Sequence, residues 1–105
     1  EMETAKRLGS NIVVMVWDDG GFRLIQWKQD AEFGRHTNVV CGNPDWMQLA
    51  GAFGWNGHHV TRSRDLSRVL ETAFQEGGPS LVVVPIDYRE NALLEERLGS
   101  IQCPI

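Results

Sequence analysis

At 105 residues, 42% of them hydrophobic and 23% charged, the chain has the make-up of one small globular domain. A formal charge of −4, with the acids spread along the chain rather than gathered in a tail, argues against nucleic acid or an anionic membrane as a partner. No apolar run approaches bilayer-spanning length, and the N-terminus lacks the basic-then-apolar pattern of a signal peptide. Cys41 and Cys103 have no motif spacing. They read as free thiols of a reducing, cytoplasmic compartment, with a disulfide between them as the alternative.

In chain order, Glu1–Leu8 reads as the later turns of a helix that Gly9 closes, with no start signal before it. Together with the missing initiator methionine, this suggests the C-terminal piece of a larger protein. Asn11 to Trp17 is an apolar, β-branched run and predicts a buried parallel strand. It ends in Asp18-Asp19-Gly20-Gly21-Phe22. In open α/β sheets ligands bind outside the carboxyl ends of strands. A carboxylate there can hold Mg²⁺ or Ca²⁺ beside a loop carbonyl, and glycines let the backbone approach a bound group. The plain alternative is a solvated turn, since Asp and Gly are common turn formers.

Leu24 to Glu32 predicts a helix with Leu24, Trp27 and Lys28 on one face, and residues 33–42 read as a loop. Asn43-Pro44-Asp45 predicts a helix start, with Asn43 as the N-cap and Pro44 at the first position. Trp46, Leu49, Ala50 and Phe53 follow at helical spacing, and Gly54 ends that helix. Trp55 to Thr61 predicts a short strand. Ser63 is the expected N-cap of a helix whose stripe is Leu66, Val69, Leu70, Ala73 and Phe74, stopped by Gly77-Gly78. Leu81 to Pro85 predicts a second strand apolar on both faces, with Asp87 and Tyr88 just beyond it, and Asn91 to Leu98 a short terminal helix. Strands alternating with helices imply an α/β fold with a mainly parallel sheet flanked by helices.

Other chemistry is thinly represented. His58 and His59 are adjacent, so on a strand they point to opposite faces, one exposed and one packed. With His36 and Cys41 they give no zinc spacing. Nucleophile elbows and dinucleotide fingerprints are absent. Arg23, Lys28 and Arg35 could touch phosphates but read more simply as a solvated face. Trp17, Trp27, Trp46, Phe53, Trp55 and Phe74 are expected to be core or interface anchors.

Taken in order, several stretches carry a resemblance: Val-Val-Met-Val-Trp-Asp-Asp-Gly-Gly-Phe at 13–22, Leu-Ile-Gln-Trp-Lys-Gln at 24–29, Phe33-Gly34, Gly42-Asn43-Pro44-Asp45-Trp46, Leu49-Ala50, Ala52-Phe53-Gly54, and Val84-Pro85-Ile86-Asp87-Tyr88. The chain resembles the C-terminal end of thiamine-diphosphate-dependent enzymes, most of all the acetolactate synthase large subunit and its relatives. The resemblance implies that residues 1–105 are the C-terminal part of a thiamine-diphosphate-binding domain. In that family a Gly-Asp-Gly triplet precedes an Asn or Asp, and the two side chains with a backbone carbonyl hold Mg²⁺ against the diphosphate. The triplet is not in this sequence and is expected upstream of Glu1.

By the same resemblance Asp19 is the second metal ligand and the carbonyl of Gly21 another. Asp18, Asp19, Gly20, Gly21 and Phe22 form the cofactor loop, and Leu24 and Ile25 line the pocket. The activating glutamate belongs to another domain, so the chain carries no catalytic residue and is expected to be inactive alone. The implied partners are the remainder of the parent enzyme, a further copy in a homo-oligomer and a 2-oxo acid substrate. Two positions depart from the pattern: Arg23 stands where glycine is frequent, which puts substrate choice in question, and Cys41 where an aromatic residue is common. Other 2-oxo acid decarboxylases of the family, and a non-catalytic α/β interaction module, are the competing readings.

Overall fold

The structure, a computed structural model, describes residues 1–88; the expected helix at Asn91–Leu98 and Cys103 lie outside the described residues. Four helices and three strands follow in the order α1 (Met2–Arg7), β1 (Val13–Asp18), α2 (Arg23–Phe33), α3 (Trp46–Ala52), β2 (Asn56–His59), α4 (Leu66–Glu76) and β3 (Ser80–Pro85). The strands form one sheet in the order β1-β3-β2, and both pairings are parallel. The α/β class read from the alternating pattern is therefore correct.

β3 is the central strand because it is apolar on both faces. Leu81 and Val83 pack with Ala50 and Trp55 on the side of α1 and α3, while Val82 packs with Val60 and Ala73 on the side of α4. The alternation of side chains along a strand divides the core in this way. Ser80, fully buried at the start of β3, donates its hydroxyl to the Ala73 carbonyl at 3.4 Å, so its burial leaves no orphaned polar atom.

β1 differs from its expected burial. It is paired only with β3 among the described residues, and Val14, Met15 and Trp17 are exposed, Trp17 to 64%. The residues are those of an interior strand; of β1 only Val13 and Val16 pack against the clusters under the helices. The predicted stripe of α4 is also corrected at one position, because Ala73 is buried whereas Phe74 is 57% exposed.

Two helix starts differ from expectation. The cap of α3 is Asp45, not Asn43: its Oδ1 accepts from the amides of Met47 and Gln48, both at 3.0 Å, and its Oδ2 accepts from the Gln48 side chain at 3.0 Å. A carboxylate satisfies two orphan amides and also favours the positive end of the helix. The Asp-x-x-Gln spacing of a capping box was the signal for it. Ser63 opens a short 3₁₀ turn, Ser63–Asp65, closed by the Asp65 amide donating to the Arg62 carbonyl, and α4 starts only at Leu66. The first turn is tightened, so a serine side-chain cap is not used.

Candidate functional site

The carboxyl ends of β1 and β3 lie side by side: Asp18 is in register with Pro85, and the Ile86 amide donates to the Asp18 carbonyl at 2.9 Å. The chain leaves both ends into loops, and a cleft of about 720 Å³ opens there. That volume suits a small-molecule or cofactor site. The cleft is lined by Asp19, Arg23, Leu24, Gln26, Trp27 and Asp30 on one side and by Ile86, Asp87 and Tyr88 on the other. The loop after β1 and helix α2 supply the first group, and the segment after β3 supplies the second.

Asp18 and Asp19 have separate surroundings. The carboxylate of Asp18 accepts from the Trp46 indole at 2.8 Å through Oδ2, and from the Gly20 amide at 3.0 Å and the Asn43 side chain through Oδ1. The Trp46 indole N–H chiefly holds its carboxyl below the ordinary aspartate value; partial burial opposes this, and the Gly20 amide, the Asn43 amide and the charge of His59 assist. Such a group contributes stability above its ordinary value, near pH 4, and loses that contribution as pH falls through its folded value. The stability difference between wild type and Asp18→Asn should therefore shrink as pH is lowered from about 5 toward 2, read from urea midpoints at each pH.

Asp19 lines the cleft, and its Oδ1 accepts from the Gly21 amide at 3.1 Å. Arg23 also turns inward: its Nε donates to the Asp19 carbonyl at 2.9 Å and its Nη1 to Gln26 Oε1 at 2.8 Å. The guanidinium thus braces the loop from the first turn of α2. Of the three basic residues that could reach a phosphate, Arg23 lines the cleft, whereas Lys28 and Arg35 do not.

The two loop glycines have different reasons. Gly20 has φ of 70°, which other residues rarely adopt. At Gly21, a Cβ would come within 2.9 Å of the Val39 carbonyl oxygen, because the 33–42 loop folds back to bridge Gly21 with Val40. The close approach there is to the chain's own backbone. Gly21→Ala should lower stability by about 1–3 kcal/mol, as expected for overpacking against a fixed neighbour, visible as a lower urea midpoint.

Among the residues expected at the site, Asp19 and Leu24 line the cleft together, while Asp18, Gly20, Gly21, Phe22 and Ile25 are not on its wall. Phe22, Leu24 and Ile25 are 54%, 60% and 50% exposed, and α2 has no buried residue. Sequence reasoning missed Gln26, Trp27, Asp30, Ile86, Asp87 and Tyr88 as lining residues; the carboxyl end of β3 and the face carrying Leu24 were the signals. His58 and His59 are split as expected, with His58 half-buried against Glu76 at 2.9 Å and His59 exposed. Among the described residues, no three His, Cys, Asp or Glu side chains converge to share a metal ion. No helix among them is long and apolar enough to cross a membrane.

Among the lining residues Asp19 offers a carboxylate, a donor that suits a hard cation, and the lining includes neither cysteine nor histidine. This is a partial set, which needs oxygens from a phosphate, water or more protein to complete a six-coordinate shell.

Comparison with known proteins gives the family. Residues 1–84 match the family model described as "Thiamine pyrophosphate enzyme, C-terminal TPP binding domain". The chain is 36% identical over 98 residues, 93% of its length, to "Acetolactate synthase, catabolic" of Raoultella terrigena, of which it covers 18%. It is 35% identical over 91 residues, 87% of its length, to "Acetolactate synthase" of Bacillus subtilis (strain 168), covering 16% of that protein. With "Acetolactate synthase isozyme 2 large subunit" of Escherichia coli (strain K12) it shares 33% identity over 93 residues, 87% of the chain and 17% of the relative. The chain thus spans less than a fifth of the length of these relatives. A match over four-fifths of the chain, on an α/β sheet whose strand ends carry the cleft, places it in the thiamine pyrophosphate enzyme family as a C-terminal TPP-binding domain.

Proposed function

We propose that residues 1–105 are the C-terminal part of the cofactor-binding domain of an acetolactate-synthase-like enzyme. It joins two pyruvates, with uptake of one proton and loss of one CO₂, using thiamine diphosphate and Mg²⁺. The observation that carries this reading is Asp19 in the cleft beyond the end of β1, on a chain whose relatives include acetolactate synthases. Charge balance supports a cation. A diphosphate entering beside the Asp19 carboxylate would need a divalent ion between the two anionic groups.

When bound, thiamine diphosphate would supply the electron sink that decarboxylation of a 2-oxo acid needs. This chain's residues hold and orient it. Asp19 and the Gly21 carbonyl would hold Mg²⁺, and the loop from Asp18 to Phe22 would carry the diphosphate. Arg23 fixes the Asp19 carbonyl, while Leu24 and Trp27 would shield the reacting end from water. No general acid or base is assigned within the chain, so the fragment alone is expected to be inactive. The apolar surface of Trp17, Phe22, Leu24 and Ile25 suits burial against the rest of the parent enzyme and a second copy in a cytoplasmic homo-oligomer.

Arg23 favours a second reading within the family. A charged, bulky side chain in the cleft alters the space and charge offered to the substrate, as a decarboxylase of another 2-oxo acid requires. The test is turnover of pyruvate by the full-length enzyme with thiamine diphosphate and Mg²⁺. Acetolactate as product supports the condensation; CO₂ release without acetolactate moves the activity to a simple decarboxylase. Failure to bind the cofactor leaves a non-catalytic interaction module.

A further inference from the structure

We propose that Asp18 is a positioning residue: it clamps the Asp19–Gly21 loop to the entry of α3 and so sets where the Asp19 carboxylate stands. The proposal rests on the cofactor reading above and goes beyond it. It assigns a role to a residue that does not line the cleft, and it connects the cleft to a helix on the far side of the loop.

The geometry behind it is specific. Asp18 is the last residue of β1, and alternation points its side chain to the α3 face of the sheet, with Val14 and Val16. There its two oxygens meet three donors from three places in the chain. Trp46, the first residue of α3, donates its indole N–H at 2.8 Å; Asn43, just before the α3 cap, donates its amide; and Gly20, within the loop, donates its backbone N–H at 3.0 Å. The Asp18 carbonyl accepts from Ile86 at the end of β3. One residue therefore ties together β1, the loop, the start of α3 and the β3 exit. The indole is itself held, since Trp46 packs against the buried cluster of Ala50, Trp55, Leu81 and Val83. The clamp is anchored in the core rather than in a mobile surface side chain.

A carboxylate is the side chain that fits. Trp46 and Gly20 can only donate, and they approach different oxygens of Asp18. Asparagine offers one oxygen and a donor NH₂, so it must face one N–H with another. Asp18 is also consumed by this network, which leaves Asp19 as the loop carboxylate that lines the cleft. Adjacent acids thus divide the work: the first positions and the second ligates. Groups that orient a metal ligand without touching the metal typically matter by about 10–100-fold in affinity.

The experiment uses the full-length enzyme and titrates thiamine diphosphate at fixed Mg²⁺, reading the dissociation constant by calorimetry and kcat at saturating cofactor. Asp18→Ala should weaken cofactor binding by about 10–100-fold, yet recover kcat to within a few-fold at saturation, because the ligand itself remains. Trp46→Phe keeps the packing and removes only the donor; it should shift affinity in the same direction by a smaller factor. Asp18→Asn serves if Asp18→Ala does not fold. Leu70→Ala, on the opposite face of the sheet, should lower the melting temperature without moving the affinity, which separates positioning from general destabilisation. Unchanged affinity in both Asp18→Asn and Trp46→Phe would overturn the proposal. So would an Asp18 variant that saturating cofactor cannot restore, since Asp18 would then be a ligand. A wild-type enzyme that binds no thiamine diphosphate would overturn the cofactor reading itself, and the clamp with it.

Discussion

Asp19→Ala in the full-length enzyme is expected to raise the thiamine diphosphate dissociation constant by about 100-fold or more, because loss of a group that only orients a metal ligand costs about 10–100-fold and Asp19 is proposed to hold the metal itself. Unlike the Asp18 variants, it should not regain kcat at saturating cofactor, since no other side chain in the cleft stands in the same loop. The fold should survive. The Asp19 side chain accepts one local bond, from the Gly21 amide to Oδ1 at 3.1 Å, and losing it costs only about 0.5–1.5 kcal/mol. Asp19→Asn keeps a neutral oxygen for the metal, and its loss should be smaller. Calorimetric titration at constant Mg²⁺, with far-UV circular dichroism as the control for folding, distinguishes a lost ligand from a lost fold.

The second large effect concerns stability. Trp55 is 7% exposed and packs with Ala50, Leu81 and Val83, and its indole N–H donates to the Met2 carbonyl at 2.9 Å. It thereby joins α1 to the sheet and fills the layer between α3 and β3. Trp55→Ala should cost about 3–5 kcal/mol, the range for truncating a buried aromatic. Against a total of about 5–15 kcal/mol for a typical domain, that is a large fraction, and most of the protein should be unfolded at 37 °C if its margin is at the low end. Trp55→Phe retains a buried ring and loses the hydrogen bond, so its cost should be smaller. Urea unfolding monitored by tryptophan fluorescence gives both values. Similar midpoints for Trp55→Ala and wild type would show that α1 and its contact with Trp55 contribute little.

The sequence made some of this legible and concealed the rest, for physical reasons. β3 was readable because five successive apolar residues from Leu81 leave no polar face, and the interior of a parallel sheet demands that pattern. β1 has the same kind of composition but lies at an exposed edge here, since composition reports what a strand can pack against and not what is present. Gly54, Gly77 and Gly78 marked helix ends through local preference alone. The cap of α3 was misplaced by two residues because Asn43, Pro44 and Asp45 all favour a helix start. The choice was decided by a long-range event, the reach of Asn43 to Asp18 across 25 residues. The clamp was equally hidden, since the spacing of Asp18 and Trp46 follows no local period. In contrast, the cleft at the strand end was legible, because topology alone places sites at the carboxyl ends of parallel strands.

The central claim is that this chain holds thiamine diphosphate through a metal at Asp19. Its most direct test is cofactor binding to the full-length wild-type enzyme by calorimetry, first with Mg²⁺ present, then after chelation, then with Mg²⁺ restored. The account predicts one cofactor bound per chain, loss of that binding on chelation and its return with the metal. Binding that is indifferent to chelation, or no binding at saturating cofactor and Mg²⁺, would contradict it.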